Sequence, residues 1–120
     1  MKNMKSVVVD DEEDFVGALV ERLTLRGFQA RGFTSGEQAM QDMLENDFDV
    51  ALLDVRMPGS GGLDIIREIK QRWPERNVIL LSGHASEDEA ERGKCLGAFR
   101  YLMKPVRIEE LIKILGECYD

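Results

Sequence analysis

Three short runs in this chain are apolar at every position, and each stops at a polar residue. Val7-Val8-Val9 runs into Asp10-Asp11, Val50-Ala51-Leu52-Leu53 into Asp54, and Val78-Ile79-Leu80-Leu81 into Ser82. A strand that is apolar on both faces must be covered on both faces, which is the condition of a central strand in a parallel sheet. Phe28-Gln29-Ala30-Arg31 and Phe99-Arg100-Tyr101 alternate apolar with polar instead, as edge strands with one wet face do. Helical patterns separate all of these runs, so the chain reads as a series of βαβ units.

The pattern places strands at residues 5–10, 28–33, 49–54, 77–82 and 99–103, and helices at 13–26, 35–46, 61–73, 86–95 and 107–118. Strands one, three and four belong inside and strands two and five at the edges. With right-handed crossovers the order is 2-1-3-4-5. That is a known architecture, the α/β flavodoxin-like doubly wound (βα)5 fold.

Local signals support the helices. Phe15, Leu19 and Leu23, with Val16 and Val20 beside them, form an apolar face that Gly27 terminates. Ser35-Gly36-Glu37-Gln38 and Ser86-Glu87-Asp88-Glu89 read as capping boxes. Leu63, Ile66 and Ile69 face inward on the third helix, which must stop near Trp73 because Pro74 follows. Ile108, Leu111, Ile112 and Leu115 form the buried face of the last. The fourth is the weakest: only Ala90 and Cys95 are apolar, and Gly93 costs about 1 kcal/mol relative to Ala inside a helix. It is the expected mobile element.

Composition narrows the function. At 120 residues, one domain spanning 1–120 is expected. The formal charge of -7 argues against direct nucleic-acid binding, which depends on basic residues neutralising phosphates. Cys95 and Cys118 lack metal-ligand spacing and read as reduced thiols of a cytoplasmic protein. No apolar run approaches the ~20 residues a membrane span needs, and no signal-peptide core follows Met1.

Ligands of open parallel sheets bind beyond the carboxyl ends of the strands. The fold therefore brings Asp10, Asp11, Asp54, Ser82 and Lys104 to one crevice. Each has an ordinary alternative. The acidic run 10–14 suits a helix N-terminus, Asp54 could begin a turn, and Lys104 could be a surface lysine before Pro105. Together they suit a divalent cation and a phosphoryl group, because Mg²⁺ takes oxygen ligands and keeps several waters. His84 is the only histidine and lies two residues from Ser82, which argues against a Ser-His hydrolase and against a histidine metal site. Gly59-Ser60-Gly61-Gly62 lacks the pattern of a nucleotide-binding loop.

The acidic pair Asp10-Asp11, Asp54, Met57-Pro58-Gly59, Ser82 and the run Gly97 to Pro105 occur in the order and spacing of a known family. Across essentially its whole length, the chain resembles the receiver domain of two-component response regulators. The resemblance implies that Asp54 accepts a phosphoryl group from a histidine kinase or phosphotransfer protein. It implies Mg²⁺ held by Asp10, Asp11, Asp54 and the main-chain carbonyl of Arg56, with Ser82 and Lys104 contacting the phosphoryl oxygens. It implies a cis Lys104-Pro105 bond, a switch role for Tyr101, and tuning of phosphoryl lifetime by Arg56 and His84. The surface of the fourth helix, fifth strand and fifth helix would change and signal to an output domain or effector, and a phosphorylation-dependent homodimer is left open. Such a domain catalyses only its own phosphorylation and dephosphorylation. Val106 departs from the family, where a larger aromatic is common. The rival reading is a Mg²⁺-dependent phosphohydrolase with an aspartyl nucleophile. Those enzymes place a second acid two residues on, where this chain has Arg56.

Overall fold

The computed structural model describes residues 4–84 and 86–118. Elements alternate strictly: β1 (Lys5–Val9), α1 (Glu13–Leu25), β2 (Gln29–Phe33), α2 (Gly36–Glu45), β3 (Val50–Asp54), α3 (Gly62–Arg72), β4 (Asn77–Ser82), α4 (Glu87–Cys95), β5 (Arg100–Met103) and α5 (Ile108–Glu117). All strand pairings are parallel and the order is β2-β1-β3-β4-β5, as expected from which runs are apolar on both faces.

The pleat explains why the central runs are continuously apolar. Val7, Val9, Ala51, Leu53, Val78 and Leu80 meet α2 and α3 on one side of the sheet. Val8, Val50, Leu52, Ile79 and Leu81 meet α1 and α5 on the other. Successive strand residues face opposite ways, so both parities must be apolar. The register then levels the carboxyl ends. Val9 pairs with Leu53, Asp54 with Leu81, and Ser82 with Met103. The polar residue after each run therefore emerges at the same edge.

The terminators behave as the sequence suggests. Gly27 takes φ 90° just past α1, and its N–H bonds the Thr24 carbonyl. Ser35 and Ser86 accept the N–H groups of Gln38 and Glu89, the serine half of each capping box, and α3 ends at Arg72 with Trp73 as its C-cap. The Lys104-Pro105 bond is cis. Among the described residues no helix is long and apolar enough to cross a membrane.

Three helix faces differ from expectation. On α3, Ile65 joins Ile66 and Ile69 in the core while Leu63 is only partly covered. On α5, Ile114 replaces Ile112 and Ile108 among the fully covered positions. Phe15 is half-buried, while Val16, Leu19 and Leu23 make the core face of α1. A helix face spans several neighbouring positions. Which of two adjacent isoleucines points inward is set by how the helix rolls onto the sheet.

Gly93 is also more than a weak point in a helix. It is the one buried residue of α4, and a Cβ there would lie 2.5 Å from Leu80 Cδ1. The glycine lets a short polar helix approach a sheet it could not otherwise reach. Gly93→Ala should gain about 1 kcal/mol of helix propensity and lose about 1–3 kcal/mol to overpacking against a fully buried leucine. The expected outcome in urea unfolding is net destabilisation of about 1 kcal/mol. A stabilised variant would show that Leu80 moves aside freely.

Candidate functional site

Each acid reaches the crevice by a different structural route. Asp54 is the last residue of β3 and 5% exposed, held there because the strand is buried throughout. Asp10 follows β1 directly and is fully buried, whereas Asp11 on the next turn is exposed. Carboxylate oxygens of the three lie within 4.8 Å of one another. Gly61 and Gly62 allow this crowded end of the sheet. A Cβ on either would strike the Val55 or Asp54 carbonyl oxygen, at 2.5 and 2.6 Å, so only glycine lets α3 begin directly beneath β3.

Lys104, just past β5, supplies the counter-charge. Its Nζ donates to Asp10 Oδ2, lies 3.3 Å from Asp54 Oδ1 and 3.3 Å from Glu12 Oε1, and sits 4.6 Å from the centre of the Phe15 ring. The other oxygen of Asp10 accepts the Glu12 N–H at 2.9 Å. Asp10 thus does what an acid before a helix does, and it belongs to the acidic cluster as well. The two readings of the acidic run are compatible at that residue.

The electrostatics follow from this geometry. Burial raises the Asp54 pKa from 3.8 to about 6, and the neighbouring Asp10 charge adds to the rise. Lys104 offsets part of it by charge and hydrogen bond, and Asp11 adds a further small push upward. Burial alone would lower the Lys104 pKa. Its hydrogen bond to Asp10 and the charges of Asp10 and Asp54 outweigh that and hold it above its ordinary value. Lys104 is therefore charged at neutral pH and Asp54 largely so. A cluster of hard carboxylate oxygens, one of them wholly buried, suits a divalent cation with oxygen preference.

The remaining expected residues lie near the site but engage other partners. Ser82 is buried, yet its Oγ donates to the His84 carbonyl at 2.8 Å and accepts the His84 N–H at 3.1 Å. The hydroxyl closes its own turn. His84 is exposed, and its part in the hydrogen bonding is made by its backbone. Arg56 turns its guanidinium to Glu89 on α4, at 2.9 Å, rather than to the acids. Tyr101 is half-buried and packs with the α2–α3 side of the core. Its hydroxyl lies 3.3 Å from the His84 carbonyl and 3.4 Å from Glu89 Oε1.

Three residues of the site are not evident from sequence: Glu12, which reaches Lys104; Phe15, which lies under it; and Glu89. Phe15 reads as core because it shares a period with Leu19 and Leu23, and only the cross-sheet position of Lys104 reassigns it. A groove of about 540 Å³ between the β3–α3 loop and α4 is lined by Arg56, Leu63, Glu89 and Arg92 and by none of the three acids. The acidic cluster lies outside that groove, and its close-set oxygens suit a small ion.

Known proteins resemble this chain in sequence and fold across most of its length. Residues 7–116 match the model of the response regulator receiver domain. The DNA-binding transcriptional regulator NtrC of Klebsiella pneumoniae is 36% identical over 108 residues, covering 90% of this chain and 23% of that protein. The chain thus spans about a quarter of the length of that relative. A receiver domain structure from Clostridium thermocellum superposes with TM-score 0.91 at 33% identity, covering 96% of this chain and 93% of that one. A response regulator from Burkholderia pseudomallei, solved with a phosphorylated aspartic acid, calcium ion and citrate, gives TM-score 0.88 at 27% identity, covering 94% of this chain and 66% of that one.

The raised Asp54 pKa has a consequence for stability. The folded state binds the Asp54 proton more tightly than the unfolded state, so stability falls as pH rises from about 4 to about 6 and stays lower above that. The rise corresponds to about 3 kcal/mol at most, since solvent at the end of the sheet screens part of it. Without divalent metal, Asp54→Asn should be more stable than wild type at pH 7 by about 1–3 kcal/mol, less than the full value because its bond to Lys104 weakens. The gap should close near pH 4. Urea unfolding with chelator at both pH values checks this, and a variant less stable at pH 7 would contradict a carboxylate raised by burial and the neighbouring acid.

Proposed function

The chain belongs to the response regulator receiver family, and from that premise we propose that Asp54 is the phosphoacceptor of its phosphorylation-dependent signalling switch. The observation that carries the proposal is a buried, largely ionised carboxylate placed among two further acids and one ammonium. An oxygen of Asp54 attacks the phosphorus of a phosphohistidine on a sensor kinase or phosphotransfer protein. The O–P bond forms, the N–P bond breaks, and the imidazole leaves with its electron pair to take up a proton. Asp54 becomes an aspartyl phosphate.

This step asks for position and charge more than for covalent help from the protein. Lys104 would follow the transferred group, since it already lies 3.3 Å from Asp54. Ser82 would give up the His84 carbonyl and donate to a phosphoryl oxygen. Asp10, Asp11, Asp54 and the Arg56 carbonyl would hold Mg²⁺. When bound, the ion supplies positive charge against the phosphoryl oxygens. Arg56 and His84, two residues past Asp54 and Ser82, would set how fast water removes the group. A phosphohydrolase is disfavoured because the position two residues past the nucleophile carries Arg56, and that side chain is paired with Glu89.

The wider reading is that residues 1–120 form one receiver domain of a cytoplasmic regulator. Its α4-β5-α5 surface would pass the signal to an output domain or effector. NtrC is named as a DNA-binding regulator, and for this chain the DNA-binding part would lie in such an output unit, since the receiver itself is acidic. A phosphorylation-dependent homodimer is one form that signal could take.

Incubation with Mg²⁺ and acetyl phosphate should add one phosphoryl mass, mapped to Asp54. Labelling of Asp54→Ala at the wild-type level would overturn the assignment. Asp10→Asn and Asp11→Asn should fold, bind Mg²⁺ more weakly by titration, and label more slowly; unchanged affinity in both would leave only the capping role. Arg56→Ala and His84→Ala should alter the rate of phosphoryl loss more than Mg²⁺ affinity, as followed by intact mass against time. Wild-type decay in both would remove them from the site.

A further inference from the structure

The segment Ser86-Glu87-Asp88-Glu89 opens α4 with the pattern of a reciprocal cap, in which the glutamate would turn back to the Ser86 N–H. Only half of that cap forms. Ser86 Oγ accepts the Glu89 N–H at 3.1 Å, while the Glu89 carboxylate goes to other elements. Its Oε2 accepts from Arg56 Nε at 2.9 Å, and its Oε1 lies 3.4 Å from the Tyr101 hydroxyl. The Glu89 side chain is 14% exposed, against 57% for Arg56. A mostly covered carboxylate thus joins the loop after Asp54, the first turn of α4 and the edge strand β5. α4 has little else to hold it, since Gly93 is its one buried residue.

Tyr101 and Ser82 are connected through one acceptor. The His84 carbonyl takes the Ser82 Oγ at 2.8 Å and the Tyr101 hydroxyl at 3.3 Å. A phenol carries one proton, so Tyr101 divides its donation between His84 and Glu89. We infer that Glu89 is a positioning residue that holds Arg56 and Tyr101 in the resting arrangement, so that phosphorylation of Asp54 proceeds against this bridge. For Ser82 to reach a phosphoryl oxygen it must release the His84 carbonyl, and the 82–84 turn must rearrange. The His84 carbonyl, no longer shared with Ser82, then draws the Tyr101 hydroxyl onto itself, and Glu89 is the competing acceptor that opposes this. Release of Glu89 from Arg56 and Tyr101 then frees the N-terminal end of α4. The inference rests on Asp54 as phosphoacceptor only for the phosphorylated state; the resting bridge is independent of it.

The test uses the full chain and reads the amide resonances of Ser82 and Gly83, in the turn across the Tyr101 hydrogen bond from residue 89. Beryllofluoride with Mg²⁺ supplies the reference position of the activated turn. Without phosphoryl donor, Glu89→Ala should displace both resonances toward that reference and speed acetyl phosphate labelling about three- to tenfold, the scale of one partly exposed charged hydrogen bond. Glu89→Gln keeps an acceptor for Tyr101 but loses the charge facing Arg56, and should fall between. Ser86→Ala weakens the α4 cap while leaving the bridge, and should stay at the resting position. Resonances of Glu89→Ala at the resting position would overturn the inference. So would an equal displacement in Ser86→Ala, which would make the effect one of helix stability. Should Glu89→Ala fail to fold, Glu89→Gln decides in the same way. If wild type neither labels at Asp54 nor responds to beryllofluoride, the phosphoacceptor reading fails. The bridge is then judged by whether Glu89→Ala, and not Ser86→Ala, displaces the turn.

Discussion

One ammonium at the end of an apolar sheet faces three clustered carboxylates. Lys104 bonds the fully buried Asp10 and lies within 3.3 Å of both Asp54 and Glu12. Much of the upper edge of the molecule can be understood from that imbalance. Asp10 is tolerable without water because one oxygen takes the ammonium and the other a main-chain N–H. Asp54 lacks an equivalent full set, so it keeps a raised proton affinity. The site is therefore short of positive charge by construction, so a cation gains by entering, and an anionic group would gain only once that cation is in place.

Holding those charges together requires a rigid frame, and the parallel register supplies it. Buried residues of β1, β3 and β4 pack against helices on both faces, so their ends cannot drift. Gly61 and Gly62 let α3 start immediately under the β3 carbonyls. The opposite is true beside the site. α4 is short, polar and anchored by a glycine contact and by side-chain bonds to Arg56 and Tyr101. Rigid acids next to a lightly held helix is an arrangement in which a local change of charge moves one element and not the rest.

Much of this is legible without coordinates. Continuous apolar runs mark central strands, since alternating runs would leave one face wet, and their polar terminators mark the crevice. The strand order follows from that distinction with the handedness of crossovers. The acids, Lys104 and Ser82 are located by it to one edge. Less legible are assignments that depend on rotation of a helix about its axis. Ile65 against Leu63, Ile114 against Ile112, and Phe15 against Leu19 are each chemically equivalent choices in sequence.

Glu89 shows the limit most clearly. In sequence it completes a capping box, because the local alternative to a helix N-terminus is all that four residues can encode. In the folded chain it lies within reach of a guanidinium 33 residues away and a phenol 12 residues away, and those partners take the carboxylate instead. Ser82 likewise reads as a hydroxyl at a strand end, but whether it faces Asp54 or its own turn depends on the conformation of residues 82–84. The sequence by itself determined the sheet, its order and the residues at its carboxyl edge, because hydrophobic period and strand termination are local and additive. Tertiary structure alone decided which partner each polar side chain takes, because that choice is a competition among groups brought together only when distant segments pack.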